Sequence, residues 1–521
     1  MPYLYRDFKE RHPEYDLEYW LRCRAFYAGG KKLLENEDLL KSVFPKHAKE
    51  LEEVYQERCE RAFYIPYAGE IVDAIVAALT AEEIKVKGVT GEPNEEGQAP
   101  ENPDPYYADF YQDVSPPGGK KQTLNQLLRQ QILTALQCRT AWTLIDLPAP
   151  TEAGLAPVTE LDQQAMGLLD AYACPVAPED VVNWEDDASG ELLFAMIRTL
   201  SNKWGGLGTS RNLVRETYTF WTRTTWERYY IEYEPTKPPA DSAEMVPDGN
   251  GNHTFGRVPL PRLTLPEGLW AMSKIESLAR EHFNKRNAVS WSQLKNLLPV
   301  FYAKVAASPV DPDGAEGVSK LLNQPYGPGR LLIIGEKDEL SYAQPDSSAY
   351  ASALEDLNNL RDEMHRVLHH MALSVDNSGA ALQRSADSKA IDQAAAAVVL
   401  RALGGYLREL VVDIMELIHS GRADKVETEW EASGADDFSD ITATQLVEQA
   451  MGMENISIPS KTFQIRYKTR LAKAILGKEA SEKDITEITK ELEGNITEEQ
   501  FDKPSPREEF DAANAEPPPG V

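Results

Sequence analysis

Two segments decide the fold: EGLWAMSKIESLAREHFNKRNAVSWSQLKNLL, residues 267–298, and DSSAYASALEDLNNLRDEMHRVLHHMALSV, residues 346–375. In the first, Pro266 precedes a run in which Leu269, Met272, Ile275, Leu278, Phe283, Leu294 and Leu297 fall largely at helical spacing. At the helical rise per residue such an arm spans roughly 45 Å. In the second, Asp346 or Ser347 suits the N-cap, and Leu357, Leu360, Met364, Val367 and Met371 alternate by three and four to make an apolar seam. Arg361, Asp362, Glu363, Arg366 and His369 take much of the remaining circumference, so this arm shows one stripe to neighbours and a charged face to water. Pro299 stops the first arm. Between the arms, turns at 311–314 and 326–329 bracket a small tip at 299–345 whose best strand candidate is Leu331–Ile334. Two long antiparallel helices with a small tip bury little by themselves and need neighbours, from this chain or from copies of it.

Working outward, residues 1 to about 87 read as mostly helical, clearest at Leu33–Phe44, Ala48–Phe63 and Ala68–Leu79. Segment 88–104 reads as a loop. A helix at Thr123–Leu136 leads into a strand at Ala141–Asp146. Val181–Trp184, a turn at Asp187–Gly190 and Leu192–Arg198 make a hairpin, and Glu216–Trp221 and Trp226–Tyr233 add alternating β-formers. A polar stretch at 234–252 then separates these strands from Phe255–Pro259. After the second arm comes a breaker at Asp376–Ala380, then a third long helix from about Ala386 to His419. Gly404–Gly405 interrupts that helix, as at a kink or a close contact. The segment 437–495 reads as small helices and the acidic end with Pro517–Pro519 as frayed. The class is α+β, with a mainly antiparallel sheet ahead of a helical hairpin.

The chain has 521 residues, 54 basic against 84 acidic, for a net charge of −30. That balance argues against a conventional duplex-gripping surface, which gains affinity by neutralising phosphates. The four cysteines, Cys23, Cys59, Cys138 and Cys174, are scattered without zinc spacing and read as reduced. No long apolar run or signal-like start is present, so membrane spanning and secretion are not expected.

The nucleotide-loop, nucleophile-elbow and metalloprotease signatures are all missing, and no cofactor is expected. His365, His369 and His370 lie within two helical turns but lack an evident third ligand, so solvation or ion pairing outweighs a metal site. The acid pairs Asp186–Asp187 and Asp436–Asp437 sit in turns, where Asp bonds backbone. Lys274, Arg280, Lys285, Arg286 and Lys295 make the first arm locally basic. Pairing with acidic neighbours across a subunit interface outweighs phosphate contact.

This order of parts resembles the portal proteins, the head-to-tail connectors of tailed bacteriophages, over nearly the whole chain. The stretches that carry the likeness are RAFYIPY at 61–67, NWEDDASG at 183–190, GRVP at 256–259 and NSGAAL at 377–382. The resemblance implies a homododecameric ring at one capsid vertex, assembled in the host cytoplasm and residing in the virion. Through it DNA passes transiently during packaging by the terminase large subunit and during genome exit. Other implied partners are the major capsid and scaffolding proteins and the head-completion or adaptor proteins. Residues 1–266 would be the wing, 267–298 and 346–375 the stem helices, 299–345 the clip and 376–388 the tunnel loop. Residues 389–425 would be the kinked wing helix and 426–521 the wing end, crown and acidic tail. Asp376, Asn377, Ser378, Gly379, Arg384 and Asp387 would face DNA, and the apolar seam would be a stem interface. Proline-rich insertions at 88–104 and 234–252 depart from the pattern. An acidic lining would let DNA slide, and a closed ring leaves no hairpin side unpaired. The alternatives are another head-tail adaptor ring and an α+β enzyme of unidentified carboxylate chemistry.

Overall fold

The computed structural model describes residues 3–90, 102, 104–148, 168–203, 213–297, 300–304, 339–343, 347–367, 371, 388–422, 424, 426–436 and 438. Beyond these, residues 439–521 make up a second compact unit, described only at isolated helical positions between 465 and 492.

Helices α1 (Leu17–Ala28), α2 (Gly30–Leu34), α3 (Glu37–Val43), α4 (Glu52–Glu60) and α5 (Tyr67–Leu79) open the chain. Their starts follow local chemistry, with Asp16 and Asn36 accepting from the backbone of Tyr19 and Leu39. Then come β1 (Lys85–Val89), α6 (Pro105–Gln112) and α7 (Leu124–Cys138). A reciprocal capping box between Thr123 and Gln126 starts α7. Strand β2 (Thr140–Asp146) pairs with β3 (Tyr172–Val176) on one side and β9 (Arg262–Thr264) on the other.

The larger sheet has five antiparallel strands in sequence order: β4 (Val181–Asp186), β5 (Leu192–Lys203), β6 (Leu213–Thr222), β7 (Thr225–Tyr233) and β8 (Val246–Asn252). The pleat sends Val181, Ala195, Ile197 and Trp221 to one face, where they meet Trp142, Val258 and Leu260. The other face carries Val182, Met196, Tyr218 and Ile231, covered by Phe8 from the N-terminal segment. That segment is tied on by Tyr5 N donating to Ala243 O at 2.8 Å and Met245 N to Tyr3 O at 3.0 Å.

Strand β8 corrects the expectation that 234–252 is only a separator. Its sequence, VPDGNGN, has Val246 as its one strand former, yet it pairs with β7, with glycines that let it pass close beneath Trp226. A Cβ at Gly251 would meet the indole nitrogen at 2.9 Å. Likewise β1 runs into the expected loop, pairing Gly88 with Trp430 of β12 (Glu429–Ser433), some three hundred and forty residues away.

The core gathers α1, α5, α7 and three long helices: α8 (Ala271–Leu297), α9 (Ser347–His365) and α10 (Ser388–Arg422). Helix α10 buries Val399, Leu403, Leu407, Leu410, Val411 and Ile414. It continues as one α-helix through Gly404–Gly405. Gly404 is small because a Cβ there would lie 1.9 Å from the carbonyl oxygen of Ala435, so close contact accounts for it. Strands β10 (Val300–Lys304) and β11 (Glu339–Ala343) pair antiparallel where α8 ends and α9 begins. The candidate strand at 331–334 lies outside the described residues.

Candidate functional site

Helices α8 and α9 return on each other across the β10–β11 pair, so the expected hairpin exists as a physical unit. One stripe of α8, formed by Met272, Ile275, Ala279 and Phe283, is buried. Phe283 packs with Phe26, Phe44 and Tyr64 at ring-centroid distances of 6.4, 5.3 and 6.0 Å. Complete burial of such a ring is worth about 1.5–3 kcal/mol. The same stripe continues into Asn287, whose amide bonds the backbone of Phe63, while Asn284 donates to Val43 O at 3.0 Å.

The apolar seam of α9 packs largely inside the chain. Leu357, Met364, Val367 and Met371 are 5%, 1%, 1% and 0% exposed, and only Leu360 is half-buried. The last three join the core with α5, α8 and α10. Within the chain, α5 and α8 supply a neighbour for this seam. Outward, α9 shows Leu354, 39% exposed, with the acid–base surface around it.

The basic stretch of α8 is also answered from within. Lys285 donates to Asp356 of α9 at 2.5 Å and pairs with Glu281 at 3.1 Å. These hydrogen bonds raise the pKa of Lys285. Glu276, 3% exposed, lies 3.7 Å from Arg280 and 3.8 Å from Arg22 of α1. Arg286 sits over the Phe63 ring at 5.8 Å. Lys274 is half-buried, and the side chain of Lys295 is outside the described residues. Within the chain, Lys285 and Arg280 thus have acidic partners.

Asp376, Asn377, Ser378, Gly379, Arg384 and Asp387 lie outside the described residues, as do His369 and His370. His365 is exposed, 6.4 Å from the ring of Tyr67. Among the described residues no three metal-ligating side chains converge, and no helix is long and apolar enough to cross a membrane. Asp187 performs turn chemistry: it accepts from Ser189 N at 2.8 Å and Glu191 N at 3.1 Å and pairs with Arg223. Hydrogen bonds from Ser189, then Arg223, hold its carboxyl well below the usual carboxylate range. Asp186 pairs with Arg262 at 2.9 Å.

Two buried features escaped the sequence. Glu276 lies on the core side of α8, and Asn287 interrupts an apolar stripe four residues after Phe283. A polar residue in register with such a stripe is the signal that could have found both.

The arrangement defines an α+β protein organised on a long antiparallel helical hairpin. No family model matches the chain, and no curated protein matches it. Among solved structures it is similar to a chain in the neck of an empty GTA particle, computed with C6 symmetry. The TM-score is 0.39 at 12% identity, covering 78% of this chain and 90% of that one.

Proposed function

We propose that this chain is the subunit of a closed ring serving as a portal-type head-to-tail connector in a tailed-phage-like particle, with no catalytic role. The ring is the channel for packaging by the terminase large subunit and for genome exit, and the platform on which head-completion proteins dock. The observation that carries this reading is the order of parts. An N-terminal region of helices followed by antiparallel strands leads to an antiparallel helix pair closed by a two-stranded tip, and then to a 35-residue helix, α10. The four sequence stretches of portal resemblance fall along that order. The net charge of −30 suits transient passage of duplex DNA, since an acidic lining repels phosphate. Leu354, 39% exposed on α9, and the half-buried seam residue Leu360 are apolar groups available to contacts between copies.

Mass photometry and negative-stain images of the purified chain test this. A ring with a central hole and a projecting stem is expected. A monomer at micromolar concentration overturns the ring, and a flat ring without a stem moves the assignment to an adaptor.

A further inference from the structure

Four of the nine tryptophans, Trp20, Trp142, Trp184 and Trp270, line one cavity of about 420 Å³ between α1, the end of α7, β2, β4 and the start of α8. Trp142, Trp20 and Trp184 are 1%, 5% and 6% exposed, so Trp270, which is half-buried, gives the cavity most of its accessible indole surface. The indoles are held in place. Trp270 Nε1 donates to Gln137 O at 3.1 Å and its ring meets Tyr19 edge-on at 5.3 Å. Trp142 and Trp184 meet edge-to-face at 5.4 Å. Two of them already carry basic groups on a face: the Arg262 guanidinium lies 5.7 Å from the Trp142 ring, and His12 stacks on Trp184 at 3.9 Å.

The charged lining is acidic. Glu14, Asp16 and Glu267 stand against Arg139 alone, and Arg139 pairs with Glu267 at 3.6 Å. Asp16 also caps α1 through Tyr19 N, so the lining carboxylates left to a ligand are Glu14 and Glu267, both exposed. Indole faces attract cations through the ring quadrupole, most strongly where water is excluded. Rim carboxylates add charge and flat acceptors matching a planar guanidinium. An anion meets both terms with the wrong sign, and a neutral apolar ligand leaves the rim acids without a role.

We propose that this cavity is a binding site for a guanidinium group. Such a group reaches it either as a free small cation or as an arginine side chain of another copy of the chain.

The test uses the full-length chain and N-acetyl-arginine amide, followed by tryptophan fluorescence, with the neutral isostere N-acetyl-citrulline amide as control. Saturable quenching by the first and not the second is expected. The double variant Glu14→Gln/Glu267→Gln should weaken binding about tenfold, equivalent to about 1.4 kcal/mol, while leaving the melting temperature within the parent's range. Particle mass separates the sources. Binding with unchanged mass assigns a free cation. If the arginine analogue, but not citrulline, lowers the mass of assembled particles, the occupant is a neighbour's arginine. Equal response to both probes overturns the site. So does absence of binding together with unaltered particle mass in the double variant. Neither result bears on whether a ring forms, which the parent's own images decide.

Discussion

The side-chain amide of Asn287 grips the backbone of Phe63 from both sides: Oδ1 accepts from Phe63 N at 3.0 Å and Nδ2 donates to Phe63 O at 3.0 Å. The same Nδ2 donates to Phe283 O at 2.8 Å, one turn earlier in α8. Residues 224 apart in sequence are thus held together, and the RAFYIPY stretch is pinned to the hairpin just before α5 begins. Asn287→Ala should cost about 1–3 kcal/mol, because partly buried backbone groups lose their partner. Urea unfolding reads this, and a loss below about 0.5 kcal/mol would show that the clamp is dispensable.

Adjacent glycines in α10 should respond with opposite sign. Gly404→Ala forces a methyl against the Ala435 carbonyl at 1.9 Å and should destabilise the chain by more than about 1 kcal/mol. At Gly405 the nearest atom to a new Cβ is Arg408 Nη2 at 4.0 Å, so Gly405→Ala should stabilise the helix by up to about 1 kcal/mol. Melting temperatures of the two variants decide; a shift in the same direction for both contradicts the close-approach account.

The seam separates folding from assembly. Met364→Asp places a charge at a site 1% exposed and should reduce soluble yield, with destabilisation of about 4 kcal/mol or more. Leu360→Asp, at a half-buried position, should leave a folded chain by circular dichroism, so that any change in its particle mass reports on contacts between copies. A soluble, fully stable Met364→Asp protein would place the seam outside the core.

Acid sensitivity should trace in part to His282. Its ring is 6% exposed and meets Tyr67 edge-on at 5.4 Å. Burial first, then Arg286 and Arg361, push its pKa below the ordinary 6.5. The folded state therefore favours neutral imidazole, and the unfolded chain binds more protons between the two pKa values. The contribution is complete above pH 6.5 and is lost as the pH falls through the folded-state value. Half-buried Asp146 and Asp180, whose pKa values are raised by desolvation, act in the opposite sense. The informative quantity is hence the difference between His282→Gln and the parent. The variant should lose less stability from pH 7 to pH 5; an equal or larger loss rules His282 out.

What the sequence determined by itself is what lies within a few residues of its cause. The Thr123–Gln126 box, the Asp187 turn and the three-and-four spacing of Leu357, Leu360 and Met364 are local chemistry, and the helices and the β4–β5 hairpin follow from them. The apolar stripe of α8 was legible in the same way. Which surface covers a stripe was not, because burial depends on elements brought from elsewhere in the chain. Met364 and Val367 therefore looked like contacts for another copy, whereas α5 and α8 of the same chain enclose them. Pairing of Gly88 with Trp430, and of the glycine-rich β8 with β7, carries no local signature. The β1–β12 ladder must meet the entropy of closing the long intervening loop, whereas β8 follows β7 directly and depends on glycines that fit beneath Trp226. The tryptophan-lined cavity likewise draws on residues from Pro13 to Ser273, and only the tertiary structure brings its indoles and carboxylates to one place.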